Sequence, residues 1–284
     1  MYGATSGWTG WSDQPRDAHP PTVRVAAPSM LTFDDDALVL TGQPHGENGA
    51  VVRFLTFGEG LRTGYVHGAR SRARRALLHP GNRVWLSLKS RAEGQLPGAA
   101  VELVESRALL ALEPRPAAML AWITELTAAA LAEAVPHPRL AGALEALLAG
   151  LSAGMDGTAA RAGLARYELL LLEEEGFGLD LSVCAQGGPA GDLAFVSPRT
   201  GRAVSRSRAE GQPWAQRLLP LPAFLLGKGA ASPADADAGL RLAGHFLARH
   251  WLHGARLEGI RARATAGTSE ERLAAGTPDP RTQP

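Results

Sequence analysis

The residues able to do chemistry fall into two kinds, a few candidates for bond-making and a larger set suited to holding a polyanion. Asp34, Asp35 and Asp36 form a run of carboxylates of the sort a two-metal nuclease needs. Adjacent side chains of a strand face opposite ways, so these three would not converge on one ion. The run reads as a solvated entry to a strand. His245, His250 and His253 lie near the end of a long apolar-periodic segment. His250 and His253 are three apart, so on a helix they would share a face and could ligate a metal, but no third ligand is evident nearby. Near a helix C-terminus, histidines also meet the dipole favourably, which explains them without a metal. Cys184 is the only cysteine, so neither an internal disulfide nor a multi-cysteine zinc site can form. With no base or resolving cysteine beside it, it reads as a small buried residue of a strand. The nucleophile-elbow, zincin, Walker A and dinucleotide-binding motifs are absent. No catalytic residue, cofactor or metal is expected.

The second kind is concentrated between His45 and Arg91. Arg53, Arg62, Arg70, Arg72, Arg74, Arg75, Arg83, Lys89 and Arg91 fall there, and from Arg53 to Arg91 the only acid is Glu59. The net charge of the whole chain is +1, so this is a local excess, and local excess attracts a polyanion. Arg83, Trp85, Ser87 and Lys89 alternate with Val84, Leu86 and Leu88, placing Trp85 on the polar side of a strand. A base could stack on Trp85 while the cations hold phosphates. The alternative is a solvated loop in an arginine-biased protein, since Lys89 and Lys228 are the only lysines.

The elements that must position these residues are short. Strands are expected at 36–43, 50–56, 61–66, 83–89 and 99–105, punctuated by Pro44, Gly46, Gly58, Gly60 and the turn Pro80-Gly81-Asn82. Residues 68–79 form an arginine-rich connector with a short helical turn. Five strands in this space fit an OB-type Greek-key barrel, a common platform for single-stranded nucleic acid. From Pro116 the period becomes 3.6, with helices expected at 115–134, 138–152 and 157–175, the last ending at Gly176 and central to its domain. Strands at 179–184 and 193–196 and the pair Ala203-Val204 make a small β-ribbon, and 233–252 is the last long helix.

The expected fold class is therefore α+β. A disordered extension covers 1–29, with Trp8 and Trp11 as a possible docking motif and Met30 as a natural domain start. An OB domain covers 30–110, a helical domain with a ribbon at about 177–212 covers 111–265, and a disordered tail covers 266–284. No internal repeat is seen. An apolar share of 45% is ample for buried cores. The N-terminus lacks the pattern of a secretory signal, and no apolar run approaches a membrane span, so the cytoplasm is the expected location and no membrane contact is expected.

Several blocks, in order, resemble the RecO family of bacterial DNA-repair proteins: DDALVLTGQPHGENGAVVRFLTFGEGLRTGYVHGAR, ALLHPGNRV, ARYELLLLEEEGFGLDLSVCA, DLAFVSPRTGRAVS and RLLPLPAFLL. The resemblance covers about residues 31 to 255. It implies an N-terminal OB fold and a C-terminal helical domain with a ribbon. It also implies binding of single- and double-stranded DNA, annealing of complementary strands, cooperation with RecR, and help in loading RecA onto DNA coated by single-strand-binding protein (SSB), whose acidic C-terminal tail such proteins bind. Work on the chromosome would make the protein nucleoid-associated. Some members hold zinc through four ribbon cysteines. Only Cys184 remains of that pattern, so the ribbon occupies the zinc-finger-like position without its metal. An acidic tail with an apolar end calls for an apolar groove edged by arginine, and Arg161 and Arg166 on the third helix are the candidates. The competing reading is a general single-strand DNA or RNA binder whose helical domain docks another partner; an enzyme using the aspartates or histidines ranks below both.

Overall fold

The computed structural model describes residues 31–90, 92 and 94–266. Arg91, the anticipated N-terminal extension with Trp8 and Trp11, and all but the first residue of the anticipated tail lie outside them.

Five strands close a barrel in the order β1-β2-β3-β5-β4: β1 (Leu31–His45), β2 (Gly49–Thr56), β3 (Gly60–Val66), β4 (Arg83–Ser90) and β5 (Gly98–Glu105). This is the expected OB topology. The interior is filled by alternate residues, among them Ala37, Val39, Val52, Phe54, Val84, Leu86, Leu88 and Val101. The continuous run Ala37-Leu38-Val39-Leu40 has a different cause. Its other two members, Leu38 and Leu40, join Leu55 and Leu61 in the core of the helical domain, so β1 is buried on both faces. A register shift between Val39 and Thr41 leaves Leu40 out of the ladder with β2. The aspartate run lies inside β1, not before it, because the strand begins at Leu31. As the alternation requires, the three carboxylates take separate partners: Asp34 the Ser87 hydroxyl, Asp35 the Gly58 N–H and Asp36 Arg83.

Between β3 and β4 the arginine-rich connector forms one short helix, α1 (Arg72–Leu77), whose first turn is capped by the Ser71 hydroxyl. Asn82 fixes its far end. Its amide donates to the carbonyls of Ala76 and Leu77 at 2.9 and 3.1 Å, and its side-chain oxygen accepts the Arg107 N–H at 2.8 Å. Asn82 is fully buried, so it satisfies helix-end carbonyls where water cannot reach.

The helical domain contains α2 (Pro114–Ala130), α3 (Pro138–Ser152), α4 (Gly157–Glu174), the single turn α5 (Arg206–Ala209), α6 (Pro233–Leu247) and α7 (Ala255–Thr265). The helix α4 packs against α2, α3 and α6, as its broad apolar side predicts. Gly176 follows it at φ +82°, the left-handed position that glycine takes without strain.

Four expectations need correction. The first helix ends at Ala130, and the chain after it returns to the barrel, where Glu133 bridges Leu61 and accepts the Thr63 N–H at 2.7 Å. Residues 179–184 are not a strand, so Cys184 is not in one; this segment makes a single bridge, Asp180 to Arg202. The ribbon's third strand is β8 (Leu219–Pro220), beside β6 (Leu193–Val196), which also pairs β7 (Ala203–Ser205). The last long helix stops at Leu247, so His250 and His253 do not stand on one helical face. His250 instead stacks on Phe177, with ring centroids 3.7 Å apart. Finally, α7 was not anticipated. It buries only Ile260 and Ala264 as apolar residues, too few to register as a period. Among the described residues no group of three His, Cys, Asp or Glu could hold a metal ion, and no helix is long and apolar enough to cross a membrane.

Candidate nucleic-acid interface

The anticipated cations divide into those the fold consumes and those it leaves to solvent. Arg53 donates to the Ala128 carbonyl of α2, tying the barrel to the helices. Arg62 pairs with Glu59 and lies over the Phe33 ring. Arg83 meets Asp36 at 2.6 Å, and that carboxylate raises its guanidinium above the ordinary value. These three are structural ties.

Arg70, Arg72, Arg74 and Arg75 are exposed. Arg70 donates to the Gly46 carbonyl at 3.0 Å, a bond that leaves its charge unpaired. Arg72, Arg74 and Arg75 project from α1 without an ion pair or side-chain hydrogen bond to any described residue. Lys89 is likewise exposed on β4. The short helix thus gathers three free guanidinium groups within two turns, supported from below by Leu77 and Leu78, which pack against the barrel core.

Trp85 is 44% exposed on the outer face of β4, as the alternation predicts. Its cross-strand neighbours are acidic. Asp36 lies directly opposite it on β1 and Glu102 on β5. Opposed residues of an antiparallel ladder share a face, so carboxylates flank the indole on both sides.

A second aromatic group went unnoticed in the sequence. Tyr65 meets His45 and His67 edge to face, with ring centroids 6.0 and 4.7 Å away. The alternation of Tyr65 and His67 at the end of β3 could have revealed half of it; the approach of His45 required the β1–β2 pairing.

On α4, Arg161 and Arg166 are not brought together. Arg161 is buried, paired with Asp237 of α6 and bonded to the Thr265 carbonyl at 3.3 Å. Arg166 is exposed, lies over the Phe224 ring and donates to the Phe224 carbonyl at 3.2 Å. Arg107, not singled out in the sequence, is also buried. Its guanidinium meets Glu145 of α3 at 2.6 Å and Glu105 of β5 at 3.0 Å.

Cys184 sits under the ribbon with Val204 and Ala209. Burial alone would push its thiol up. Hydrogen bonds from the Ser205 hydroxyl and from the N–H groups of Ser205, Gln186 and Gly188 outweigh that and bring it down to about 7.

Comparison with known proteins agrees with this two-part architecture. Residues 30–107 match the family model for the N-terminal part of recombination protein O, and residues 114–256 match the model for its C-terminal part. The DNA repair protein RecO of Rhodospirillum rubrum is 44% identical over 229 residues, covering 78% of this chain and 90% of that protein. The RecO of Caulobacter vibrioides is 43% identical over 219 residues, 76% of this chain and 86% of that protein. That of Paracoccus denitrificans is 43% identical over 249 residues, 87% of this chain and the whole of the relative. With both halves matched in order on a barrel and a helical domain, this chain belongs to the RecO family of DNA repair proteins.

Proposed function

We propose that this chain is a DNA-binding recombination mediator. It holds single- and double-stranded DNA on the basic face led by α1 and anneals complementary single strands. With RecR, it helps RecA load onto strands coated by SSB. The observation that carries the DNA-binding part is the trio Arg72, Arg74 and Arg75, exposed and unpaired among the described residues, with Arg70 beside them. Guanidinium groups without internal partners are available to phosphates, and each phosphate neutralised releases counterions. The role needs no covalent chemistry, so binding and release are the whole of the activity. The mediator and annealing steps rest on the family to which the chain belongs. Such work puts the protein on the chromosome, in the cytoplasm.

For the SSB tail, Arg166 is the arginine to test, because it stands at the surface beside Phe224, whereas Arg161 is engaged inside the fold. The deciding experiment is annealing of complementary strands precoated with SSB. The protein should accelerate it, and the acceleration should fade as salt rises. Failure to accelerate annealing at low salt would sink this reading.

A further inference from the structure

Two aromatic groups face outward from the barrel, and they differ in charge. Trp85 lies between Asp36 and Glu102. Asp36 is tied to Arg83, whereas Glu102 is exposed without an ion pair among the described residues, and its charge repels a phosphate backbone crossing there. The second group is Tyr65 with His45 and His67. It stands at the start of the basic connector, since Arg70 follows His67 by three residues and is bonded to the Gly46 carbonyl of the neighbouring β1–β2 turn.

The cluster is built, not incidental. The Tyr65 ring lies so close over Gly49 that a Cβ there would stand 2.0 Å from the phenolic oxygen and 2.2 Å from Cζ. Any larger residue at 49 would displace the ring. His45 is paired with Gly49 across β1 and β2, which brings its imidazole into T-shaped contact with the ring. On the other side, Tyr65 faces Gly98 of β5, and Gly98 faces Lys89 of β4. A glycine between them leaves the surface flat from the ring to the lysine, a span of about 10 Å over two strand spacings. The one carboxylate of the β1–β2 turn is Glu47. Cations therefore border the cluster at Arg70 on one side and Lys89 on the other, an arrangement complementary to a strand whose bases face the barrel and whose phosphates run along its rim.

We propose that Tyr65, with His45 and His67 in T-shaped contact beside it, is the platform on which this protein stacks a base of single-stranded DNA, and that Trp85 is not. The inference rests on the DNA-binding reading of the α1 face and adds to it the path of the strand. The strand crosses from the α1 arginines over Tyr65 toward Lys89, away from the carboxylate-flanked row of Trp85. Imidazole and phenol rings offer π faces to any base, so the platform is tolerant of sequence.

Photocrosslinking of the full chain to oligodeoxythymidylate carrying 5-iododeoxyuridine tests it without any mutation. Mass spectrometry of the adducts should find the DNA on Tyr65, His45 or His67. Adducts on Trp85 with none on the cluster would overturn the proposal. Affinity gives the second measurement. Tyr65→Leu should weaken binding of oligodeoxythymidylate about tenfold or more with an unchanged salt slope, Tyr65→Phe should retain it, and Trp85→Leu should change it less than about twofold. If wild type binds and the α1 arginine variants weaken it while Tyr65→Leu binds normally, the platform is wrong and the DNA-binding face stands. If the α1 variants bind with the original affinity and slope, the DNA-binding face itself is wrong.

Discussion

Arg261 and Glu168 form a two-pronged ion pair inside the helical domain: Nε lies 2.9 Å from Oε1 and Nη2 lies 2.8 Å from Oε2. Glu168 has no exposed surface and also accepts the Trp122 indole N–H at 2.7 Å, while Arg261 donates to the Leu240 carbonyl. The ion pair thus joins α2, α4, α6 and α7. It explains how α7, with little apolar surface of its own, is held. The Arg261→Met variant leaves Glu168 buried and unpaired, which should cost about 3–5 kcal/mol of stability in urea denaturation. Changing both, with Glu168→Leu added, should recover much of the loss, since burying no charge avoids the desolvation cost.

Arg107 plays the same part between the domains. It is buried against Glu145 of α3 and Glu105 of β5, and its backbone N–H is held by Asn82. Burial disfavours its charge, yet the bonds to Glu145 and Glu105 win and raise its pKa, so it remains a cation at any working pH. Arg107→Ala should cost about 3–5 kcal/mol, a fall in Tm of roughly 6–20 °C by calorimetry, without passing through the DNA-binding face.

The Arg70, Arg72, Arg74 and Arg75 to Ala quadruple variant should behave in the opposite way. These side chains contribute almost nothing to internal bonding, so stability should change by about 0.5 kcal/mol or less per site. Single-strand affinity should fall. The log–log salt slope should drop by roughly 3 if all four meet phosphates, at about 0.7 each. Fluorescence-anisotropy titrations over a salt series check both.

Cys184 gives a pH dependence with a definite sign. Its folded pKa of about 7 lies below the ordinary thiol value of 9.0. The stability it contributes is therefore fully present above 9.0 and lost as pH falls through the range down to about 7. Wild type should gain stability relative to Cys184→Ser between pH 7 and 9, and chelator should leave the Tm of both proteins unchanged. A flat difference across that range would refute the lowered value.

Local pattern carried much of the barrel. The alternation from Arg83 to Lys89 reports which side chains fill the interior, because a pleated strand has only two faces. The start of α3 at Pro138 and the end of α4 before Gly176 were legible for a similar reason: proline and glycine restrict or free φ at the residue itself. The arginines of α1 were visible as a local charge excess. What sequence could not say is which cations are spent. Arg53, Arg62 and Arg83 look like Arg72, Arg74 and Arg75 in composition, and only the meeting with Ala128, Glu59 and Asp36 separates them. The same holds for Trp85, whose flanking carboxylates arrive from two other strands, and for Arg161, whose partner Asp237 lies on another helix. Tertiary structure decided these points because charge acts through distance in space, and pairing between strands and helices sets that distance independently of separation along the chain.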